Sequence, residues 1–356
     1  MARPAIVHIN IDALQHNYNR VRAYAPGCKV IAMIKSNAYG HGLVKIAQGL
    51  PQADAFGVAC IEEAIILRQA NIQQPIIILE GFFSAEELDL IYQHNLEIVV
   101  HHFGQIEALE RYVVNKPIKV WLKINTGMHR LGFLPTQAEK AFQRLQACTS
   151  VDSAICLMTH FATADDVTNA NTQRQIATFN KITAGWQGQR SMANSAGVLA
   201  WQDSHCDWVR AGLMLYGISP ITGKTAADFD LKPVMTLRSE IMAIQDLWQG
   251  EKVGYKGTWI CPQDMRVGII AIGYGDGYPW HAQTGTPILV NGRVAPLIGC
   301  VSMDMLMVDL RGQPAAKMGD PVVLWGEGLP IENVAIYAET IPYELICRIT
   351  DRVKRI

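Results

Sequence analysis

The chain has 356 residues, of which 49% are hydrophobic and 18% are charged, and its formal net charge is −1. This composition indicates a globular protein with a large core, and the near-neutral charge excludes an electrostatic footprint for nucleic acid or an anionic membrane. No apolar run approaches the length of a transmembrane helix, and the opening segment "MARPAIVHIN" lacks the order of a signal peptide, so we expect a cytoplasmic protein.

The cysteines give no sign of a disulfide framework or a metal centre. All eight are scattered along the chain, and no two of them form a C-x-x-C pair. In a chain of this length such spacing is typical of reduced thiols, most of them packed in the core. We therefore expect no structural metal site.

The first part of the chain, up to residue 217, alternates strand-like with helix-like segments. Several of the strand-like segments are continuous apolar runs, which is typical of parallel strands covered on both faces. One amphipathic stretch, 84–95, predicts a helix capped by Ser84, with Glu87 three residues later. The eight predicted strands are 29–35, 55–60, 75–81, 96–102, 119–127, 154–160, 190–195 and 208–217.

Eight strand-and-helix units over about 200 residues predict a (β/α)8 TIM barrel. A doubly wound open sheet is the alternative, but no G-x-G-x-x-G opens the first helix. After residue 230 the chain changes to short β-rich pieces, and Asn291-Gly292 predicts a type I′ hairpin between two of them. The predicted domains are a barrel over residues 1–230 and a mainly-β C-terminal domain over residues 231–356, with segment 222–233 as the connection.

The rim of the predicted barrel collects polar and charged side chains. Active sites of such barrels lie at the C-terminal ends of the strands. An amine, two guanidiniums, an imidazole and a hydroxyl at one rim fit an anionic, phosphorylated ligand. Taken alone, the lysine that ends the first strand is either a strand end that meets water or a desolvated amine able to form a Schiff base with an aldehyde. The residues at this rim are Lys35, Arg130, His160, Asn194, Ser195 and Arg210.

The segment "MIKSNAYGHG" (33–42) closely resembles the pyridoxal-phosphate attachment motif of alanine racemases. Seven further segments resemble landmarks of that family in the same order, and the resemblance covers nearly the whole chain. It implies a barrel that binds pyridoxal 5'-phosphate, followed by a β-domain, in a head-to-tail homodimer whose active site is shared between chains. These segments are "KINTGMHRLGF" (123–133), "THFATAD" (159–165), "ANSAG" (193–197), "VRAGLMLYG" (209–217), "VGYKGTW" (253–259), "IGYGDGY" (272–278) and "VSMDM" (301–305).

The resemblance also implies a role for individual cofactor-binding residues. Lys35 would hold the cofactor as a Schiff base, Arg210 would face its pyridine nitrogen with His160 behind, and Arg130 would lie by its phenolic oxygen. The cofactor phosphate would be bound by hydroxyl groups and by backbone N–H groups. The residues at and around that phosphate would be Tyr39, Asn194, Ser195, Gly212 and Leu213.

Two acid/base groups and a substrate pocket complete what the resemblance implies. Racemisation removes a proton from one face of Cα and returns one to the other face, so two groups on opposite sides are needed. Lys35 and Tyr255 would be these two bases, with Tyr255 supplied by the second subunit. The remaining implied residues are Arg130, Met303 and Asp304 at the substrate, Tyr274 and Tyr343 at the entrance, and Lys123 as a lysine that is often carbamylated in relatives.

Simple chemistry accounts for two of these choices. A phenol with an unperturbed pKa of about 10 is a poor base at neutral pH, so the site must be dry and positively biased. An arginine has a pKa above roughly 12, so Arg210 would donate to the ring nitrogen without protonating it. A ring held in this way is a weaker electron sink, which favours return of the proton over transamination.

Three positions depart from the family pattern, and several functions stay open. Ser36 replaces a usual Ala or Gly, Asp351 lies where some relatives have a phosphate-binding tyrosine, and Trp280 takes a position that is often arginine. The implied activity is interconversion of L-alanine and D-alanine, for peptidoglycan or for alanine catabolism. The alternatives are a racemase of serine or broader specificity, an amino-acid decarboxylase, a non-catalytic cofactor carrier, and a phosphate-binding barrel without pyridoxal.

Overall fold

A computed structural model describes residues 3–356, and its first domain is a closed barrel of eight parallel strands. The chain begins with β1 (Ile6–Ile9), which belongs to a second sheet. The barrel strands are β2 (Lys29–Met33), β3 (Ala55–Val58), β4 (Ile76–Ile78), β5 (Glu97–Val100), β6 (Val120–Lys123), β7 (Cys156–Met158), β8 (Arg190–Ser191) and β9 (Trp208–Ala211). Because β2 pairs with both β3 and β9, the barrel closes and the predicted fold class is confirmed.

Helices cover the outside of the barrel, as parallel strands require. The first begins after Asn10, whose side-chain oxygen accepts a hydrogen bond from Ala13 N at 2.9 Å and so satisfies a free N–H of the first turn. The helices of this domain are α1 (Ile11–Tyr24), α2 (Lys35–Tyr39, a single turn), α3 (Leu43–Gly49), α4 (Ile61–Gln69), α5 (Glu87–Gln93), α6 (Phe103–Arg111), α7 (Pro135–Ala147), α8 (Asn171–Ile182) and α9 (Ser195–Ala200).

All eight predicted barrel strands run two to six residues past their observed ends, because pairing with the neighbouring strands stops before the rim, and the predicted helix start at Ser84 is also wrong. The helix predicted from Ser84 begins at Glu87, whose carboxylate accepts the backbone N–H groups of Phe83 and Ser84 at 3.0 and 3.1 Å. The strand predicted over 208–217 ends at Ala211, after which the chain forms a 3-10 turn.

The C-terminal part of the chain is built on an antiparallel sheet around one long strand. That strand is β10 (Met235–Leu247), and it pairs with β1, β13 and β18. The other strands are β11 (Lys252–Val253), β12 (Trp259–Ile260), β13 (Met265–Ile270), β14 (Leu289–Val290), β15 (Arg293–Val294), β16 (Leu297–Ile298), β17 (Leu306–Asp309), β18 (Pro321–Trp325) and β19 (Lys354–Arg355); the helices are α10 (Ile331–Tyr337) and α11 (Pro342–Cys347).

The predicted hairpin turn is present between β14 and β15. Asn291 and Gly292 have φ values of 49° and 75°, as a type I′ turn requires at both central positions.

The sheet joins the two ends of the chain and packs on the barrel. β1 pairs antiparallel with β10 and parallel with β19, so residues from both termini lie in one sheet. At the junction, the Asn17 amide of α1 donates to Leu215 O at 3.0 Å and to Lys232 O at 2.8 Å, and it accepts from Lys232 N at 2.8 Å. Buried hydrophobic residues of both parts form one continuous core, so the sheet is fixed against the barrel.

The structure also bears on membrane spans, metal sites and disulfide bonds. Within residues 3–356, none of the helices combines the length and the apolar character that a membrane span needs. The same residues contain no group of three or more His, Cys, Asp or Glu side chains placed to bind a metal ion. All eight cysteines are free thiols, but only Cys148, Cys156 and Cys261 are buried, so the prediction that most of them are packed in the core is wrong.

Candidate active site

Lys35 lies at the rim of the barrel, two residues beyond the end of β2. Its side chain is half-buried, and burial lowers the pKa of its amine below the usual range. The positive charge of Arg130 acts in the same direction, while Glu80 and Glu63 oppose it. A lysine with a lowered pKa keeps more of the neutral, nucleophilic amine at neutral pH, as formation of a Schiff base requires. The structure therefore favours the desolvated amine over a strand end that meets water.

The turn that follows Lys35 is left-handed. Ser36, Asn37, Ala38 and Tyr39 have φ values of 54°, 52°, 52° and 52°, a conformation that costs L-residues roughly 1–2 kcal/mol each. The next residue, Gly40, also has a positive φ, and a Cβ there would lie 2.1 Å from the carbonyl oxygen of Ile346. Backbone strain of this extent persists only where the surrounding structure imposes it, and it concentrates at functional sites.

A cradle of hydroxyl and backbone N–H groups lies beside this turn. Ser195 Oγ accepts hydrogen bonds from Gly212 N at 2.8 Å and from Met214 N at 3.4 Å. A Cβ on Gly212 would lie 2.7 Å from the Tyr39 hydroxyl oxygen, so glycine allows that hydroxyl to approach the backbone. Asn194 fixes the start of α9 by accepting a hydrogen bond from Gly197 N at 2.9 Å. Because Gly212 N and Met214 N donate to Ser195 Oγ, the donors that this cradle offers a ligand are the hydroxyl groups of Ser195 and Tyr39, which suit a phosphorylated ligand.

Arg210 is buried under the rim and held by four contacts. Its guanidinium donates to Ser191 Oγ at 2.7 Å, to Thr159 O at 2.6 Å and to Met192 O at 3.1 Å. A further contact of 3.3 Å leads to Nδ1 of His160. These contacts use the two terminal nitrogens, and Nε makes no hydrogen bond to any of residues 3–356. Burial lowers the pKa of Arg210 to about 10, below the value expected from sequence, yet the group stays protonated at neutral pH.

His160 is a neutral imidazole in this environment. Burial, followed by the charge of Arg210, holds its pKa well below the usual range. Because Arg210 donates to Nδ1, the ring proton of the neutral form resides on Nε2. The backbone oxygen of His160 accepts a hydrogen bond from Gln175 Nε2 at 3.0 Å, which fixes the end of β7 behind the site.

Lys123 and Arg130 complete a cationic group at the rim. Burial lowers the pKa of Lys123 to about 8, and the charges of Arg210, Arg130 and Lys35 act in the same direction. Arg130 is exposed and lines a small cavity together with Lys123 and His160. The charges of Lys35, Arg130 and Arg210, which come from the ends of three strands, thus all act on Lys123, and such a cationic group suits an anionic ligand.

The candidate residues of the β-domain lie on its surface. Tyr255 is 70% exposed, Met303 is 52% exposed and Tyr274 is 40% exposed. Tyr255 occupies a short turn between Gly254 and Lys256, whose φ values are 67° and 62°. One chain therefore groups the barrel residues at the rim and leaves these three side chains facing outward.

Asp304 belongs to a network of charged side chains that lie far apart in the sequence. Arg352 donates to the Asp304 carboxylate at 2.5 Å, and Arg3 donates to Asp304 O at 3.1 Å. Both arginines also pair with Asp276, which is fully buried, at 2.5 and 3.5 Å. Gly275 N donates to Met303 O at 2.8 Å, so the network ties the Tyr274 turn to the Met303 loop. Asp276 and Asp304 lie in the quoted segments 272–278 and 301–305, whereas Arg3 and Arg352 lie in none, so no local pattern could have found the two arginines.

The remaining candidates lie around the cradle or on the outer surface. The Tyr343 ring lies 5.9 Å from the ring of Tyr39, and burial raises its pKa to about 12. Asp351 is fully exposed and pairs with Arg355 at 3.6 Å. Trp280 is 60% exposed, which leaves an apolar surface where an arginine would place a charge.

Two family models match the chain in order. The model described as alanine racemase, N-terminal domain, matches residues 9–220, and the model described as alanine racemase, C-terminal domain, matches residues 234–356. The chain belongs to the alanine racemase family. Membership makes this protein an isomerase that interconverts L-alanine and D-alanine, as the resemblance implied.

Individual members of the alanine racemase family are similar over nearly their whole length. The alanine racemase of Aeromonas hydrophila is 52% identical over 351 residues, which are 99% of this chain and 98% of that relative. The biosynthetic alanine racemase of Escherichia coli O6:H1 is 51% identical over 350 residues, which are 98% of each chain.

Solved structures of alanine racemases share the fold. The biosynthetic alanine racemase of Pseudomonas aeruginosa is 42% identical, with a TM-score of 0.97 over 99% of both chains. The alanine racemase of Bartonella henselae, described with covalently bound pyridoxal phosphate, is 28% identical, with a TM-score of 0.89 over 99% of both chains.

Proposed function

We propose that this protein racemises alanine with pyridoxal 5'-phosphate held at the barrel rim, and that it supplies D-alanine for peptidoglycan. The observation that carries the proposal is the desolvated amine of Lys35 beside a cradle built for phosphate. Relatives described as biosynthetic favour supply of D-alanine over alanine catabolism. In this proposal the first domain, predicted over residues 1–230, binds the cofactor through its barrel, and the domain of residues 231–356, to whose sheet β1 also belongs, contributes to the partner's active site.

The donors at the rim fit pyridoxal 5'-phosphate. Lys35 would bind the aldehyde carbon, and Arg210 Nε, which has no partner within residues 3–356, would donate to the ring nitrogen. The bound cofactor would supply an electron sink that acidifies the Cα–H bond of alanine. Because the pKa of Arg210 is about 10, this residue would keep its proton and limit the strength of that sink. The phosphate would be bound by Tyr39, Ser195, Gly212 and Leu213, with Asn194 fixing the start of α9.

The proton steps would use two side chains from two subunits. Lys35 would remove or return the Cα proton on one face, and Tyr255 of a second subunit would act on the other face. Arg130 would bind the substrate carboxylate, with Met303 and Asp304 from the second subunit completing the pocket. The outward position of Tyr255, 70% exposed in one chain, supports a homodimer with shared active sites. Tyr274 and Tyr343 would line the entrance.

Lys35 is the residue whose substitution tests cofactor attachment most directly. The purified protein is expected to be yellow, and borohydride should bleach it and leave the cofactor mass on the peptide that contains Lys35. The variant Lys35→Ala should lose this label, whereas Lys45→Ala, which removes an exposed lysine on α3, should keep it. A colourless wild-type protein, or a label on another lysine, would reject the cofactor assignment.

Lys123 is expected to carry a carbamate, formed when its neutral amine attacks carbon dioxide and releases a proton. With a pKa of about 8, half of the amine is neutral at pH 8, against roughly 0.3% for a lysine with the usual pKa. A carbamate carbon should therefore appear by NMR after incubation with 13C-bicarbonate at pH 8. The signal should weaken as pH falls to about 6, because protonation removes the reactive amine.

Two matched variants test whether the carbamate signal comes from Lys123 or from another lysine. Lys123→Gln should abolish the carbamate signal, and Lys119→Gln, at the other end of the same barrel segment, should leave it intact. Persistence of the signal in Lys123→Gln would assign the carbamate elsewhere.

A further inference from the structure

His41 is buried directly behind the left-handed turn that follows Lys35. Its Nδ1 lies 3.1 Å from Ala38 O and 2.9 Å from Tyr39 O. Both partners only accept hydrogen bonds, so Nδ1 carries the ring proton and donates it to the turn. Burial lowers the pKa of His41 to about 4, which keeps the ring neutral. The imidazole is therefore locked in one tautomer with one donor, aimed at the turn.

The Nδ1–H group of His41 donates to a backbone oxygen of the turn that has no other hydrogen-bond donor. Ala38 O also accepts the backbone N–H of His41, but within residues 3–356 the oxygen of Tyr39 has only the imidazole as its donor. The other ring nitrogen, Nε2, is buried without a hydrogen-bond partner among the same residues. A buried acceptor without a partner costs stability, so a side chain that served only to fill the core would be better apolar.

Aromatic contacts connect His41 to the strand that ends at the rim. The ring of His41 lies 4.4 Å from that of Tyr216, which in turn lies 4.9 Å from the ring of Tyr39. The Tyr216 hydroxyl donates to Met33 O at 2.8 Å, at the last residue of β2. The turn is thus braced on one side by the imidazole and on the other by the strand that leads to Lys35.

We propose that His41 is a positioning residue that maintains the left-handed turn and thereby places the Lys35 amine and the Tyr39 hydroxyl for the cofactor. The inference rests on the proposed function, since it takes those two groups as cofactor-binding. His41 acts through the backbone oxygens of the turn and contacts no reacting atom. Its role differs from that of a core residue, because it depends on a hydrogen-bond donor rather than on volume.

The test uses two substitutions of His41 in the full-length protein. His41→Leu keeps an apolar side chain of similar size but removes the donor, whereas His41→Asn retains an N–H group. Amide hydrogen exchange of the peptide covering residues 36–42 reports on the turn with or without cofactor. Exchange in His41→Leu should be faster, and its dissociation constant for pyridoxal phosphate should rise about tenfold, with His41→Asn between it and the wild type.

A second substitution, added to His41→Leu, distinguishes stabilisation of the turn by His41 from a role in core packing alone. Glycine adopts a positive φ without the cost of a Cβ, so Ser36→Gly should slow exchange and restore part of the cofactor affinity in the His41→Leu background. Asn71→Gly relieves a positive φ of 60° at an exposed position far along the chain and should restore neither. Recovery by both glycine variants would indicate a general gain of stability and would overturn the proposal.

Two further results would decide between the proposal for His41 and the proposed function. Unchanged exchange and cofactor affinity in His41→Leu, with or without a lower melting temperature, would show that His41 only fills the core and would overturn the proposal. If the wild-type protein bound no pyridoxal phosphate, the proposed function would fail, yet the exchange of residues 36–42 would still show whether His41 holds the turn.

Discussion

Replacement of Tyr255 by phenylalanine is expected to abolish Cα-proton exchange from L-alanine while sparing exchange from D-alanine. In the two-base assignment Tyr255 removes the proton of the L-enantiomer and Lys35 that of the D-enantiomer. Loss of a positioned acid/base group lowers a rate by about 10²- to 10⁴-fold, so racemisation in both directions should fall by that factor. The measurement is incorporation of deuterium at Cα from D2O, followed by mass spectrometry separately from each pure enantiomer.

A tyrosine elsewhere on the β-domain provides the control for this substitution. Tyr337 is 41% exposed at the end of α10, and Tyr337→Phe should leave exchange from both enantiomers unchanged. Equal and undiminished exchange from both enantiomers in Tyr255→Phe would reject the two-base assignment. Equal loss from both enantiomers would instead indicate that Tyr255 contributes to substrate binding or to dimer assembly. Loss of a single base should stop proton removal from only one face of Cα.

Two inactive variants are expected to regain activity when mixed. The variants Lys35→Ala and Tyr255→Phe each lack one base in every active site of their own homodimer. If Tyr255 acts on the partner's cofactor, a heterodimer contains one site that lacks both bases and one site that has both. Equal amounts of the two variants yield half heterodimers by random exchange, so activity should reach about one quarter of the wild-type value.

The alternative arrangement gives the opposite result. If Lys35 and Tyr255 of the same chain formed one site, each site of a heterodimer would still lack one base, and mixing would restore nothing. The measurement is racemase activity after the mixed proteins have exchanged subunits, with each variant alone at the same total concentration as the control. Mass spectrometry of the intact dimers confirms that exchange has occurred, so absence of activity contradicts the shared site rather than the mixing.

The grouped basic side chains at the rim affect one another's protonation and the kind of ligand that the rim favours. Lys35, Lys123 and His160 all have lowered pKa values, with burial as the largest cause in each case. Arg210 stays protonated and provides the fixed positive charge that the neutral His160 faces. Such a site favours anions, namely a phosphate, a substrate carboxylate and a carbamate, and it supplies neutral amines for nucleophilic attack.

The fold was predicted correctly from local sequence patterns, and the same patterns supplied the barrel residues that are proposed for the site. Continuous apolar runs identified parallel strands because strands buried on both faces need no polar positions. The ends of those strands then identified Lys35, His160 and Arg210, since all carboxyl ends of a parallel barrel meet at one rim. The segment "MIKSNAYGHG" pointed to the family.

Tertiary structure alone decided the features that depend on distant parts of the chain. The left-handed turn after Lys35 runs against the preference of its own residues, and it lies so close to Ile346 O that position 40 has no room for a Cβ. The pKa of Lys123 depends on burial and on Arg210, and Asp304 is held by Arg3 and Arg352 from opposite ends of the sequence. Local patterns record which side chains are apolar and at what period. Burial, strain and charge coupling arise only when residues far apart in sequence come within a few ångströms, which no local pattern encodes.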